Sequence, residues 1–200
     1  MNPTKIAAFW LLTLALPIAG CSLLPKPAPA IDAFVPRVPT AVRAAAPRYT
    51  RLTVPLPTAP VYLDTSEPQL IDTDGSWLRI AGFRFAATPA ELLQNLLADG
   101  IEQSGLASAV LTRQADQSPK LDIELRAFAV ERSQTKMHAR LAYSIRLNTK
   151  PPRATRIDVE VPVASLGSGA VRAAWQKACE QALRETLVWL GEGPATEQVR

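Results

Sequence analysis

An antiparallel sheet with two amphipathic helices packed on one face, an α+β two-layer sandwich, is the fold this sequence predicts. Three observations predict it. Three long runs between Leu121 and Val161 alternate apolar and polar residues, a capped amphipathic helix precedes them, and a second helix follows them. The 200 residues allow one main domain with appendages. At 48% hydrophobic and 20% charged, the chain can bury a core.

The elements follow in order. Tyr49 to Val54 reads as a short strand, then prolines punctuate the chain through Pro60. Val61-Tyr62-Leu63-Asp64 leads into Gln69-Leu70-Ile71. Asp72-Thr73-Asp74-Gly75-Ser76 interrupts, and Trp77-Leu78-Arg79-Ile80 resumes. An Asp-Gly pair between β-rich runs predicts a hairpin, because both residues tolerate positive φ. Thr88-Pro89-Ala90-Glu91 opens a helix with a capping threonine, a proline at the first position and a glutamate placed for a capping box. Leu92, Leu93, Leu96, Leu97 and Ile101 share one face, and Gly105 ends it. After an extended run from Ala107 to Leu111 come the three alternating strands. Leu121, Ile123 and Leu125 lie on one face of the first, and Met137 to Leu147 (odd positions) on one face of the second. Ile157, Val159 and Val161 do so on the third. Phe128 and Val130 share the parity of Arg126, so that strand either bulges or carries apolar surface on its polar side. Asn148 to Pro152 turns the chain. Ser168 to about Leu190 is helical: Val171, Trp175, Ala178, Ala182 and Thr186 form one row, widened by Ala174, Leu183, Leu187 and Leu190. Gly191, Gly193 and Pro194 stop it.

The first segment is an address. Lys5 is its only charge, Ile6 to Leu16 is apolar apart from Thr13, and Ile18-Ala19-Gly20-Cys21 follows. The apolar run is shorter than the ~20 residues a membrane span needs. Small residues before a cysteine resemble the lipobox of bacterial lipoproteins. That resemblance implies cleavage between Gly20 and Cys21, a diacylglyceryl thioether on Cys21 and an acyl chain on its new amino group. Two or three chains anchor a protein firmly where one does so marginally. Ser22, rather than an aspartate, follows the cysteine, which favours the outer membrane facing the periplasm over the inner membrane. Nine of the 18 prolines fall between Pro25 and Pro60, and the run to Pro47 has few large apolar residues. It reads as an extended tether. The expected organisation is a signal peptide at 1–20, a lipidated Pro/Ala-rich tether at 21–47, the body at 48–191 and a flexible tail at 192–200.

Composition excludes several classes. One histidine and two cysteines rule out zinc fingers, iron–sulfur sites and disulfide scaffolds. A net charge of +4, with both signs dispersed, gives no case for nucleic acid. Asp72-Thr73-Asp74-Gly75 begins like a calcium loop but lacks the third oxygen ligand and the closing glutamate, so a turn is expected. Gly167-Ser168-Gly169 before a helix lacks the lysine and strand context of a phosphate loop, so helix entry is expected. His138 is a candidate base with no nucleophile elbow to serve, on the polar side of a strand, and Cys179 reads as a buried structural thiol. Arg126, Arg140, Arg146 and Arg156 share that side with Asp122, Glu124, Asp158 and Glu160, a pattern of cross-strand ion pairs. Trp175 and Trp189 are expected in the core. Trp77, Phe128 and Val130 are the candidate partner-binding residues on the hairpin and the outer sheet face.

From Val54 to Leu190 the chain resembles the ABC-type transport auxiliary lipoproteins. The residues that carry the likeness are Val61-Tyr62-Leu63-Asp64, Pro89, Glu91-Leu92-Leu93-Gln94, Leu97, Glu102-Gln103-Ser104-Gly105, Leu121 through Phe128, and Leu187-Val188-Trp189. Phe83-Arg84-Phe85-Ala86 stands where the family often has an aromatic-basic-Trp-Ala group. The resemblance implies a subunit without catalysis or cofactor, apart from the lipid on Cys21. It would work with an MCE-domain protein, a permease and an ATPase in moving phospholipid or another hydrophobic compound between membranes. Its own task would be docking, and a homo-oligomer is open to it. Rival readings are a lipopolysaccharide-assembly-type outer-membrane lipoprotein and a lipid-anchored hydrolase.

Overall fold

The computed structural model describes residues 32–39, 46–113, 118–134 and 136–192. The expected signal peptide with its Gly20–Cys21 junction, residues 22–31 and 40–45 of the expected tether, and the tail from 193 lie outside the described residues. The strands are β1 (Ala33–Phe34), β2 (Leu52–Thr53), β3 (Gln69–Ile71), β4 (Trp77–Arg79), β5 (Arg84–Phe85), β6 (Val110–Leu111), β7 (Leu121–Ser133), β8 (Lys136–Leu147) and β9 (Arg153–Pro162). The helices are α1 (Pro89–Ser104) and α2 (Ser168–Glu192). The main sheet runs β4-β3-β7-β8-β9, antiparallel except for the parallel β3–β7 pair. Two short parallel pairs, β1–β5 and β2–β6, stand beside it. The architecture is α+β.

The two longest pairings follow from alternation. Leu121, Ile123 and Leu125 on β7, Leu141, Tyr143 and Ile145 on β8, and Ile157 and Val159 on β9 are all buried on one face. Against it lies α2, whose Val171, Trp175, Ala178, Ala182 and Leu190 are buried. A polar link crosses this core: the Tyr143 hydroxyl pairs with Thr186 Oγ1 at 2.7 Å, and Thr186 donates to the Ala182 carbonyl at 2.9 Å. Paired in this way, both hydroxyls avoid the desolvation cost of an unmade hydrogen bond.

The amphipathic α1 lies against α2 and β6. Its start is the capping box expected from the sequence: the Glu91 N–H donates to Thr88 Oγ1, and the Thr88 N–H donates to Glu91 Oε2 at 2.9 Å. Gly105 ends it in the left-handed conformation at φ 73°. The Asp72–Ser76 turn joins β3 to β4 as an antiparallel hairpin, with Gly75 at φ 81°.

Two expectations are corrected. β7 carries a bulge: Leu125 faces Tyr143 but Ala127 faces Ala142, so Arg126 is an extra residue. The extra residue reverses the parity of all that follows. Phe128 and Val130 therefore turn into the core, at 2% and 0% exposure, and are not docking residues. The second correction concerns the tether. Residues 32–39, read as part of it, pack on the body as a strap. Ala33–Phe34 pairs with Arg84–Phe85, and Phe34 is buried against the Phe83 and Phe85 rings. Asp32 pairs with Arg172, and Gln176 exchanges hydrogen bonds with the Arg37 N–H and carbonyl at 2.9 and 2.8 Å. One large aromatic side chain among prolines supplies the apolar area that the surrounding composition lacks.

Candidate functional site

The outer face of the sheet is the surface the helices leave uncovered, and its polar residues come from the alternate positions of β7, β8 and β9. Arg140 holds the centre. It reaches Asp158 through two hydrogen bonds at 2.9 and 3.0 Å and Glu131 at 3.4 Å. Arg156 joins Asp158 at 2.8 Å. The hydrogen bond from Arg140 holds the Asp158 carboxyl below the usual aspartate range, and the same bond raises the Arg140 guanidinium pKa. His138 sits between Glu131 at 3.6 Å and Glu160 at 3.8 Å. Its neighbours are carboxylates and an arginine, not a nucleophile it could activate. Two more pairs, Lys120–Asp122 at 2.6 Å and Arg126–Glu124 at 3.0 Å, flank an open groove of about 620 Å³ towards Leu56 and Arg146. Both signs of charge line it, so it favours no single ligand charge.

One corner of this face is apolar. Trp77 on β4 shares the outer side with Ile71, its partner on β3. The Tyr62 ring tilts against Trp77 with centroids 4.7 Å apart, and the Tyr62 hydroxyl donates to the Arg126 carbonyl at 3.4 Å. Tyr62 and Trp77 remain 50% and 42% exposed, and Val61 beside them is 90% exposed. Leu78, next along the same edge strand, is also exposed, but as the partner of Leu70 it faces the other side of the sheet. Rigid aromatic side chains that keep half their area in water are the composition of binding hot spots.

The other candidates find their places. Trp77 is on the surface as expected. Trp175 is buried and stacks on Phe128 at 4.2 Å, while Trp189 is half-buried beneath the Arg153 guanidinium at 4.8 Å. The Asp72–Gly75 segment is a turn whose carboxylates are already engaged: Asp72 Oδ2 accepts from Arg132 at 2.9 Å and Asp74 Oδ1 from the Ser76 N–H at 2.9 Å. Gly167-Ser168-Gly169 opens α2, with the Val171 N–H bonded to the Gly167 carbonyl. Cys179 is buried, and burial pushes its thiol up to about 12, so it is not a nucleophile at neutral pH. The tilted contact of Tyr62 with Trp77 has no signal in the sequence. Two aromatics 15 positions apart on either side of a strand carry no periodic signal.

These observations define an α+β domain whose polar sheet face ends in an exposed aromatic corner. No family matches the chain, and none of the curated proteins does. Among solved structures it is similar to protein XCC0632 from Xanthomonas campestris, described under the family DUF330. The TM-score is 0.69 at 23% identity, over 80% of this chain and 96% of that one. It is also similar to an uncharacterised protein, at TM-score 0.57 and 13% identity, over 81% of this chain and 98% of that one. At these identities the likeness is one of fold.

Proposed function

We propose that the protein is a lipid-anchored auxiliary subunit of an MCE-type ABC transport system, sited at the outer membrane and facing the periplasm. It docks a periplasmic MCE-domain protein and performs no catalysis, while the permease and ATPase belong to other chains. The observation that carries the reading is the Tyr62–Trp77 corner, with Val61 exposed beside it. It offers a rigid apolar anchor beside a polar, ion-paired rim, the anatomy of a protein interface. The lipobox at Ile18 to Cys21 and the ordered family residues from Val61 to Trp189 support the same assignment.

Co-purification from detergent-solubilised membranes tests it. The wild-type chain should recover the MCE protein. Trp77→Ala combined with Tyr62→Ala should reduce recovery by tenfold or more, the loss of about 2 kcal/mol expected for a hot spot. If crosslinked wild-type protein recovers no transporter subunit, the assignment is wrong.

A further inference from the structure

The strap fixes where the chain leaves the body, and that exit carries its own chemistry. Asp32 begins the described segment, bonded through its carbonyl to the Arg84 N–H and through its carboxylate to Arg172 on the first turns of α2. Arg37 lies one helical turn further along, against Gln176. Asp32 thereby neutralises Arg172. The guanidiniums of Arg37 and Arg84 have no carboxylate partner among the described residues, and both are exposed. Val35, between them on the strap, is 58% exposed. This end of the molecule therefore presents two uncompensated cations around an apolar side chain.

We infer that the strap end, Val35 with Arg37 and Arg84, rests on the surface of an anionic phospholipid bilayer. The inference rests on the lipid-anchor reading of Cys21. Only eleven Cα–Cα steps separate Cys21 from Asp32, which at full extension span at most about 40 Å. That is comparable to the diameter of a body of this size. The strap end, where the tether joins the body, is thus always within reach of the bilayer, at an effective concentration on the order of millimolar. Under that constraint even a weak surface contact is populated, and arginine with an adjacent apolar side chain suits the headgroup region. The other end of α2, near the Asn148 turn, then points away from the membrane. The outer sheet face with Tyr62 and Trp77 is left to a partner.

The test uses the full chain purified from membranes and reconstituted into phosphatidylethanolamine vesicles with or without phosphatidylglycerol. Val35→Cys and, as control, Asn148→Cys are each labelled with a fluorophore. Buried Cys179 does not compete for the label, and Cys21 does not compete once acylated. Nitroxide-headgroup lipid should quench the Val35 label several-fold more than the Asn148 label. The difference should shrink without phosphatidylglycerol, in high salt, and in the Arg37→Glu, Arg84→Glu double variant. Equal quenching at the two sites overturns the contact. Preferential quenching at Val35 that ignores phosphatidylglycerol, salt and the arginines overturns its anionic character. The mass of the Cys21 peptide separates the two readings. Acylated Cys21 without preferential quenching sinks this inference alone, whereas unmodified Cys21 removes the anchor and the inference together.

Discussion

Gly100 lies where α1 meets α2. A Cβ there would come 2.4 Å from Leu183 Cδ1 and 2.6 Å from Cδ2. Two effects oppose each other on replacing it. Alanine favours a helix over glycine by ~1 kcal/mol, while overpacking a core costs about 1–3 kcal/mol. Leu183 is fully buried, so it cannot swing aside into solvent, and the clash should win. Gly100→Ala should therefore lower stability by up to about 2 kcal/mol in denaturant unfolding. An increase would mean that the helices separate at little cost. The same scale of argument places Leu93, Leu96 and Leu97, which the helical period assigns to the core and which are all buried.

At the scale of elements, the strap is the feature that composition concealed. Phe34 contributes its ring to a chain of contacts through Phe85 to Phe128 and Trp175, so two residues of β1 are tied to the sheet and to α2. The backbone of Arg37 is held on both sides by Gln176, which should protect the Arg37–Val38 bond from trypsin. Phe34→Ala removes a buried aromatic worth about 3 kcal/mol or more, and each 1.4 kcal/mol is a factor of ten in the open population. Cleavage after Arg37 should accelerate by about a hundredfold. An unchanged rate would show that the ring is not what holds the strap. The free edge of β9 shows a second device. The Val163 N–H bonds to Met137 on β8, so by alternation the position of Pro162 points its missing donor away from the sheet. With Arg156, Asp158 and Glu160 beside it, this edge is a poor template for unwanted strand pairing.

For the whole molecule, pH reports on the outer face. The folded-state pKa of Asp158 lies below its unfolded value because Arg140 donates to the ionised form. Its contribution is therefore complete above the ordinary aspartate value of about 3.9 and is lost as pH falls through the depressed folded value. Asp158→Asn should be less stable than wild type by about 1 kcal/mol at neutral pH, a modest figure because the pair is partly exposed. The two stability curves should converge in acid, and a constant gap down to pH 2 would assign the effect to packing instead. Membrane attachment is tested at the same scale. Cys21→Ser should accumulate as unprocessed precursor and take up no labelled palmitate, whereas processing and acylation like wild type would refute the lipobox.

Local rules reached far in this chain. Thr88, Pro89 and Glu91 determine the start of α1 among themselves, and Asp72 to Ser76 turn the β3–β4 hairpin with their own backbone and side chains. The strict alternation of Met137 to Leu147 was enough to assign which face of β8 is buried, because a strand has only two faces. Other outcomes depended on residues distant in sequence. Whether Phe128 faced core or solvent turned on one extra residue at Arg126, and the pairing of β7 with β8 decided it. Whether Phe34 belonged to a tether or to the core depended on Phe83 and Phe85, some 50 positions away. The aromatic corner needed Tyr62 and Trp77 brought together across β3. Periodicity, caps and turns were legible in the chain alone, since these are short-range backbone chemistry. Register, the docking of the strap and which aromatics stay exposed emerged with folding, because each is set by burial against a partner that no local window contains.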